Sequence, residues 1–244
     1  GSGDRPSESS IWAYAFVECK NLRSIQLCKR FGFNTQQHAA TILFHRFRPK
    51  PKHGIHQLSG TELDEVIPKL RNFYGGYSAF HTEGLKEQGA HWVYRENDEL
   101  KAYARVMRHQ WDIEELPGYL EVVKKCKLHH LPFIKDMIPS DNFEFLSFDY
   151  LWCKPENAPN LQAIMEHALS LEGLHVGLSW WALNSSFYQS LKKDIHWGIL
   201  NYIQGQVPLF IMGKAYTSAT EKESRGEAAD FPEGPVFINA HDMT

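Results

Sequence analysis

This 244-residue chain predicts an α/β protein, a mixed sheet flanked by helices, and three observations carry that prediction. From residue 55 onward, strand-like and helix-period stretches follow in the order helix, hairpin, helix, strand, helix, strand, helix and two strands. AHWVYREND and ELKAYARVMRH flank an acidic turn, as the two arms of a hairpin do. Finally, a layout of strand, Asn, short helix and strand occurs twice, once around Asn21 and once around Asn184, which predicts two related units.

Each element follows from its residues. IWAYAFV, residues 11–17, is β-branched and aromatic without a charge, and suits a strand covered on both faces. After Asn21, Leu22, Ile25 and Phe31 recur at roughly helical spacing, and Gly32 stands where a left-handed residue ends a helix. Residues 33–47 contain a second strand. RPKPKHG, residues 48–54, is a Pro- and Lys-rich linker, and a domain boundary is placed at 51–54. Beyond it, SGTELD offers Ser and Thr caps ahead of an apolar stripe of Leu63, Val66, Ile67, Leu70 and Phe73, with a kink or break expected at Pro68. Residues 117–137 read as a helix interrupted at Pro132, 143–153 as a strand, 160–170 as a helix, LHVGLSWWAL as a strand and SSFYQSLKK as a short helix. HWGILNYIQGQVPLFIMGKAY reads as two strands meeting at Gly205, residues 217–230 as a polar linker or mobile loop, and GPVFINAHDMT as one more short strand.

Composition removes several function classes. Hydrophobic residues at 43% and charged residues at 23% are those of a folded soluble protein. A formal net charge of -3 gives no global attraction to nucleic acid or anionic lipid, although Arg46, Arg48, Lys50 and Lys52 form a local basic stretch. The four cysteines show no C-x-x-C spacing, and reduced thiols in a cytoplasmic protein are the simplest reading. No apolar run approaches the ~18 residues of a membrane span. Thirteen histidines include no H-x-x-x-H pattern, and the adjacent His129 and His130 diverge on a helix, so no metal is assigned.

Several residues could carry chemistry. Cys28 is a candidate thiol, although a Cys on the apolar face of a short helix is more often inert core. Glu144, Asp149 and Glu166 are candidate bases, set against the rule that charges beside strands are usually solvated. Trp152, Trp180 and Trp181 could line a cleft or fill the faces of the sheet. The stretch YGGY, residues 74–77, reads as a flexible aromatic turn.

NLRSIQLCKRFGF, residues 21–33, resembles the segment near the end of GNAT-superfamily acyltransferases, with Asn21, Ser24, Leu27, Gly32 and Phe33 in register. The resemblance implies a mostly antiparallel GNAT-type sheet and transfer of an acyl group, acetyl above all, from CoA to a primary amine. It implies that the helix after Asn21 packs beside the pantetheine arm, so that Asn21, Ser24 and Asn184 contact the cofactor. It also places Tyr188, and Cys28 where the family usually has Tyr, as the acid that protonates the departing thiolate. Residues 55–216 resemble a whole second unit and residues 1–50 the closing part of a first, with 217–244 a polar loop and terminal strand; the upstream part of the first unit is not in this sequence. The family's Q/R-x-x-G-x-G/A turn, which wraps the CoA pyrophosphate, corresponds here to ENAPNLQA, where Cβ atoms and Pro159 make the second unit a poor site for acetyl-CoA. The expected partner is a small-molecule or peptide amine, with no nucleic acid and no membrane; an oligomer is compatible with the sequence. Two alternatives stay open: a non-catalytic GNAT-like binding module that has lost the pyrophosphate turn, and an α/β protein unrelated to the superfamily.

Overall fold

The computed structural model describes residues 11–112, 142–216 and 234–243. It is a mixed α/β structure with one sheet in the order β1-β8-β2-β7-β6-β5-β4-β3. The strands are β1 (Ile11–Glu18), β2 (Asn34–His45), β3 (Ile55–Gln57), β4 (Ala90–Glu96), β5 (Glu99–Asp112), β6 (Asn142–Cys153), β7 (Val176–Ala182) and β8 (Val207–Tyr216). All neighbours are antiparallel except β6 and β7.

Local chemistry explains most of these elements. Helix α1 (Leu22–Arg30) starts where the Asn21 side chain accepts the Ser24 N–H at 3.0 Å. It stops at Gly32, φ +82°, where the Phe33 N–H reaches the Cys28 carbonyl and the Gly32 N–H the Lys29 carbonyl. Those two bonds make a Schellman ending, which favours a residue without Cβ at its left-handed position. The β4–β5 hairpin turns on Asn97 and Asp98, at φ 50° and 60°, the twist that two-residue hairpin loops need. Helix α3 (Ala158–Glu172) crosses from β6 to β7 and buries Leu161, Ile164, Met165 and Leu169. Strand β7 is buried along its whole length, as a central strand covered on both faces must be.

The two strand–helix–strand segments interlock. β1, α1 and β2 form one; β7, α4 (Ser186–Asp194), α5 (Ile199–Gln204) and β8 form the other. β8 lies between β1 and β2, while β2 lies between β7 and β8, so each segment's strands enclose one strand of the other.

One face of the sheet packs Ala40, Phe44, Phe148, Trp181, Phe187 and Leu191 with α3 and α4. The opposite face packs Ala39, Phe145, Leu178, Trp180 and Ile211 with Val236, Ile238 and Ala240 from the end of the chain. Beside that second core, α2 (Leu63–Phe73) covers Tyr103 and Tyr150.

Four expectations are corrected. Residues 199–204 are helix rather than strand, because Ile199, Leu200 and Ile203 recur at helical spacing between Gly198 and Gly205. The end of the chain joins no ladder: Ser78 and Val236 make one isolated bridge, a 3-10 turn follows at Ala240–Asp242, and side chains take the remaining hydrogen bonds. α2 runs through Pro68 without a break, one of the two outcomes expected there, and its cap position is Glu62 rather than Ser59 or Thr61, the Glu62 carboxylate accepting the Ser59 N–H and hydroxyl at 2.8 Å each. Strand β3, three residues long, was too short to read ahead of α2. The helix expected at 117–137 and the loop expected at 217–230 lie outside the described residues.

Candidate functional site

β6 and β7 touch through only two register pairs, Leu146 with Gly177 and Ser147 with Leu178, and then diverge. Beyond that contact, Asp149, Tyr150 and Leu151 on β6 face Trp180, Trp181 and Ala182 on β7 across a gap. Tyr74 and Tyr77 from the end of α2, Ser185 from the start of α4, and Val236, Phe237 and Ile238 complete its lining.

On β6, a bulge shapes the gap: Tyr150 and Leu151 stand opposite the single residue Ala104, and Tyr150 takes φ 49°. Strain of this kind persists only where surroundings fix it. Here the Leu151 carbonyl accepts the Tyr74 hydroxyl, the Tyr150 hydroxyl donates to the His81 carbonyl at 2.9 Å, and the Arg105 guanidinium sits 4.7 Å from the Tyr150 ring centre. Arg105 also donates to Asp149 through Nε at 2.7 Å and a terminal nitrogen at 2.5 Å, with both side chains almost fully buried. Beside this pair, His91 Nδ1 and the Tyr103 hydroxyl are 2.8 Å apart, and burial followed by the nearby Arg105 charge lowers His91 to about 4. His91 is neutral at physiological pH.

At the start of α4, the Ser185 hydroxyl accepts the Tyr188 N–H at 3.1 Å and lies 2.8 Å from the Tyr77 hydroxyl. Ser185 therefore caps the helix and ties it to the YGGY turn. Asn184 is exposed one residue ahead of the cap. Aligning the caps Asn21 and Ser185 sets Leu27 against Leu191 and Ser24 against Tyr188. Tyr188 is buried, stacks on Trp181 with ring centres 5.6 Å apart, and accepts a hydrogen bond from the Gln206 amide. Burial pushes its phenol up to about 12, so it stays protonated at neutral pH.

The gap is filled. Its cavity measures about 20 Å³, room for roughly one water molecule and none for a pantetheine arm. Nor is the start of α3, where the resemblance puts a pyrophosphate, open. The 3-10 turn Pro155–Asn157 runs straight into α3, the Asn157 N–H bonds the Lys154 carbonyl, the Ala158 N–H bonds the Pro155 carbonyl, and Pro159 has no N–H.

The first segment differs. Asn21 and Ser24 close the N-cap, Cys28 is half-buried, and Leu22, Leu27 and Phe31 are 67%, 54% and 64% exposed. Among the described residues β1 has one ladder partner, β8, and its outer edge has none.

Of the other candidates, Trp180 and Trp181 line the gap and Trp152 does not. Asp149 and Glu166 are buried and paired rather than solvated: Glu166 lies 3.2 Å from Lys52 and 3.7 Å from Arg46. Glu144 pairs with Arg108 at 3.0 Å on the surface. Arg105, Gln37 and Asn239 went unread, although an Arg inside the apolar run AYARVM signals a buried partner. Among the described residues no group of three His, Cys, Asp or Glu could hold a metal ion, and no helix is long and apolar enough to cross a membrane.

Comparison with solved structures finds similar chains at low identity. One is an acetyltransferase described as from the GNAT family, from Novosphingobium aromaticivorans, at TM-score 0.43 and 10% identity over 88% of this chain and 77% of that one. Another is Saccharomyces cerevisiae N-myristoyltransferase with bound myristoyl-CoA, at TM-score 0.46 and 8% identity over 74% and 48%. A third is a GCN5-related N-acetyltransferase from Sphaerobacter thermophilus, at TM-score 0.45 and 8% identity over 86% and 61%. The chain thus spans about half to three quarters of these proteins' lengths. No family model and no curated protein matches it.

Proposed function

We propose that this chain is part of an acyl-CoA-dependent N-acyltransferase built from two GNAT-type units that share one sheet. The observation that carries the reading is the parallel β6–β7 pair, which touches over two residue pairs and then opens beside a capped helix. A gap of that kind is where a thioester arm inserts between strands. The interlocked repeat of strand, helix and strand supports the two-unit plan, with residues 1–50 closing the first unit and 55–216 forming the second.

The acceptor is a primary amine and the acyl group acetyl. The neutral amine nitrogen attacks the thioester carbonyl carbon, the N–C bond forms and the C–S bond breaks, the nitrogen gives up one proton to solvent or a base, and the thiolate takes up one, with no acyl-enzyme formed. The open first segment is the better place for the cofactor. There Asn21 and Ser24 fix the start of α1, and Cys28 stands on the helix at the acid's position with Leu22 and Leu27 exposed beside it. In the second unit, the resemblance offers Asn184 and Tyr188 for the same roles, but the cap there is Ser185 and cap alignment sets Tyr188 against Ser24 rather than Cys28; Tyr188 still carries the proton an acid needs.

One observation favours a second reading, a non-catalytic module: both the gap and the α3 N-terminus of the second unit are already occupied. Titration with acetyl-CoA and a long-chain acyl-CoA separates the two. Ligand at 100 times its dissociation constant raises stability by about 2.7 kcal/mol and is expected to slow amide exchange in α1. Absence of both effects at millimolar ligand would overturn the acyltransferase reading in favour of the module.

A further inference from the structure

Residues 234–239 run as an extended segment outside the sheet, with Val236, Phe237 and Ile238 lining the gap, and end in the 3-10 turn Ala240–Asp242. Their backbone is held mainly by side chains. The Gln37 amide donates to the Gly234 carbonyl at 2.6 Å and accepts the Val236 N–H at 3.2 Å, standing in for a strand edge. Gln37, paired with Ile211, directly follows the bulge at Gln36 that shifts the β2–β8 register. Ser78 supplies the one backbone clamp, accepting from Phe237 at 2.9 Å and donating to Pro235 at 3.1 Å.

Side chains of the segment alternate. Val236, Ile238 and Ala240 join the sheet core, while Phe237 enters a box of Tyr74, Phe80 and Tyr150 with ring centres 5.0, 5.1 and 4.7 Å away. Next, Arg105 donates to the Asn239 side-chain oxygen at 2.8 Å, and Asp149 accepts the Ala240 N–H at 3.0 Å. That ion pair presents one donor and one acceptor to an Asn and the residue after it. Arg105 and Asp149 hold each other, and the Tyr150 ring lies against Arg105, so the anchor does not need the segment in order to stand. At the other end, a Cβ on Gly234 would lie 2.2 Å from the Gly76 carbonyl, which restricts that position to glycine.

We infer that the gap over β6 and β7 is a binding groove for an extended peptide of the pattern Gly-Pro-aliphatic-Phe-aliphatic-Asn, filled here by the chain's own residues 234–243. The groove takes the same pattern from another polypeptide when that segment leaves. This does not depend on the acyl-transfer reading, because each contact that defines the pattern belongs to the groove itself.

The test uses the whole chain. A protease site is placed within residues 217–233, the folded chain is cut there, and a fluorescein-labelled peptide of residues 234–243 is added while anisotropy is followed. Saturable one-to-one binding is expected in the cut chain, with the uncut chain about tenfold or more weaker because its tethered segment competes. Peptides carrying F237A, G234A or N239L are each expected to bind about tenfold or more weakly, as anchors do. Three results would overturn the proposal: loss of the cooperative melting transition on cutting, failure of the peptide to exchange in over days, or substituted peptides binding as well as the parent.

Discussion

The two strand–helix–strand segments have the same order of elements and opposite surfaces. In α4, Phe187, Tyr188 and Leu191 are buried; in α1, only Ile25 is. Among the described residues, β7 has a neighbour on both edges and β1 on one. The gap over β7 gains its cover from the YGGY turn and the end of the chain; the end of the chain also meets the open segment, at Tyr14 and Gln37, while Ile25 of α1 packs with Val17 and Met212. A shared topology therefore fixes where a cleft can form, while the covering elements decide whether it is empty.

The largest expected effect tests what holds the closed side together. Asp149→Ala leaves the Arg105 charge buried and unpaired, and is expected to cost about 3–5 kcal/mol in urea unfolding. A loss under about 1 kcal/mol would mean that water reaches the pair and that the closed side is looser than its contacts indicate.

Next comes a matched pair. Leu191→Ala, at a fully buried position of α4, is expected to cost about 2–5 kcal/mol, whereas Leu27→Ala at the equivalent position of α1 stays within about 0.5 kcal/mol. Equal losses would show that α1 is covered in solution.

pH gives a third contrast, because His91 lies on the closed side. Its folded value, about 4, is below the ordinary 6.5, so between these values the unfolded chain holds a proton that the folded chain refuses. Stability is therefore lost as pH falls from about 6.5 toward 4, by at most about 1.4 kcal/mol per pH unit. In His91→Gln that part of the slope should vanish; an unchanged urea-midpoint profile would assign the acid sensitivity elsewhere.

The smallest effects concern the caps. Asn21→Ala and Ser185→Ala are each expected to cost about 1 kcal/mol, with Ser185 the larger because its hydroxyl also meets Tyr77. A larger loss at Asn21 would point to cover over α1 that the described residues do not supply.

Legibility in the sequence followed the range of the interaction. Asn21 and Gly32 announce α1 because capping is settled within a few residues, and the hairpin at Asn97–Asp98 is just as local. Ser185 hid behind Asn184, since either residue can cap and only the fold chooses. The strand order was invisible, because nothing in IWAYAFV names β8 as its neighbour. Within the candidate site, Tyr188 and the tryptophan pair stood out as residue types, but what fills the gap depends on Phe237 and Asn239 meeting β5 and β6 from far along the chain.

The interlocked strand order also sets a schedule for synthesis. Ile11 pairs with Tyr216 and Glu18 with Leu209, partners separated by about two hundred residues. On the ribosome, β1 and β2 therefore emerge long before β8 exists to lie between them, and a largely apolar strand waits without its partner while the rest is made. Contacts so distant in sequence slow folding. Translation halted before residue 207 would leave β1 with no strand to join.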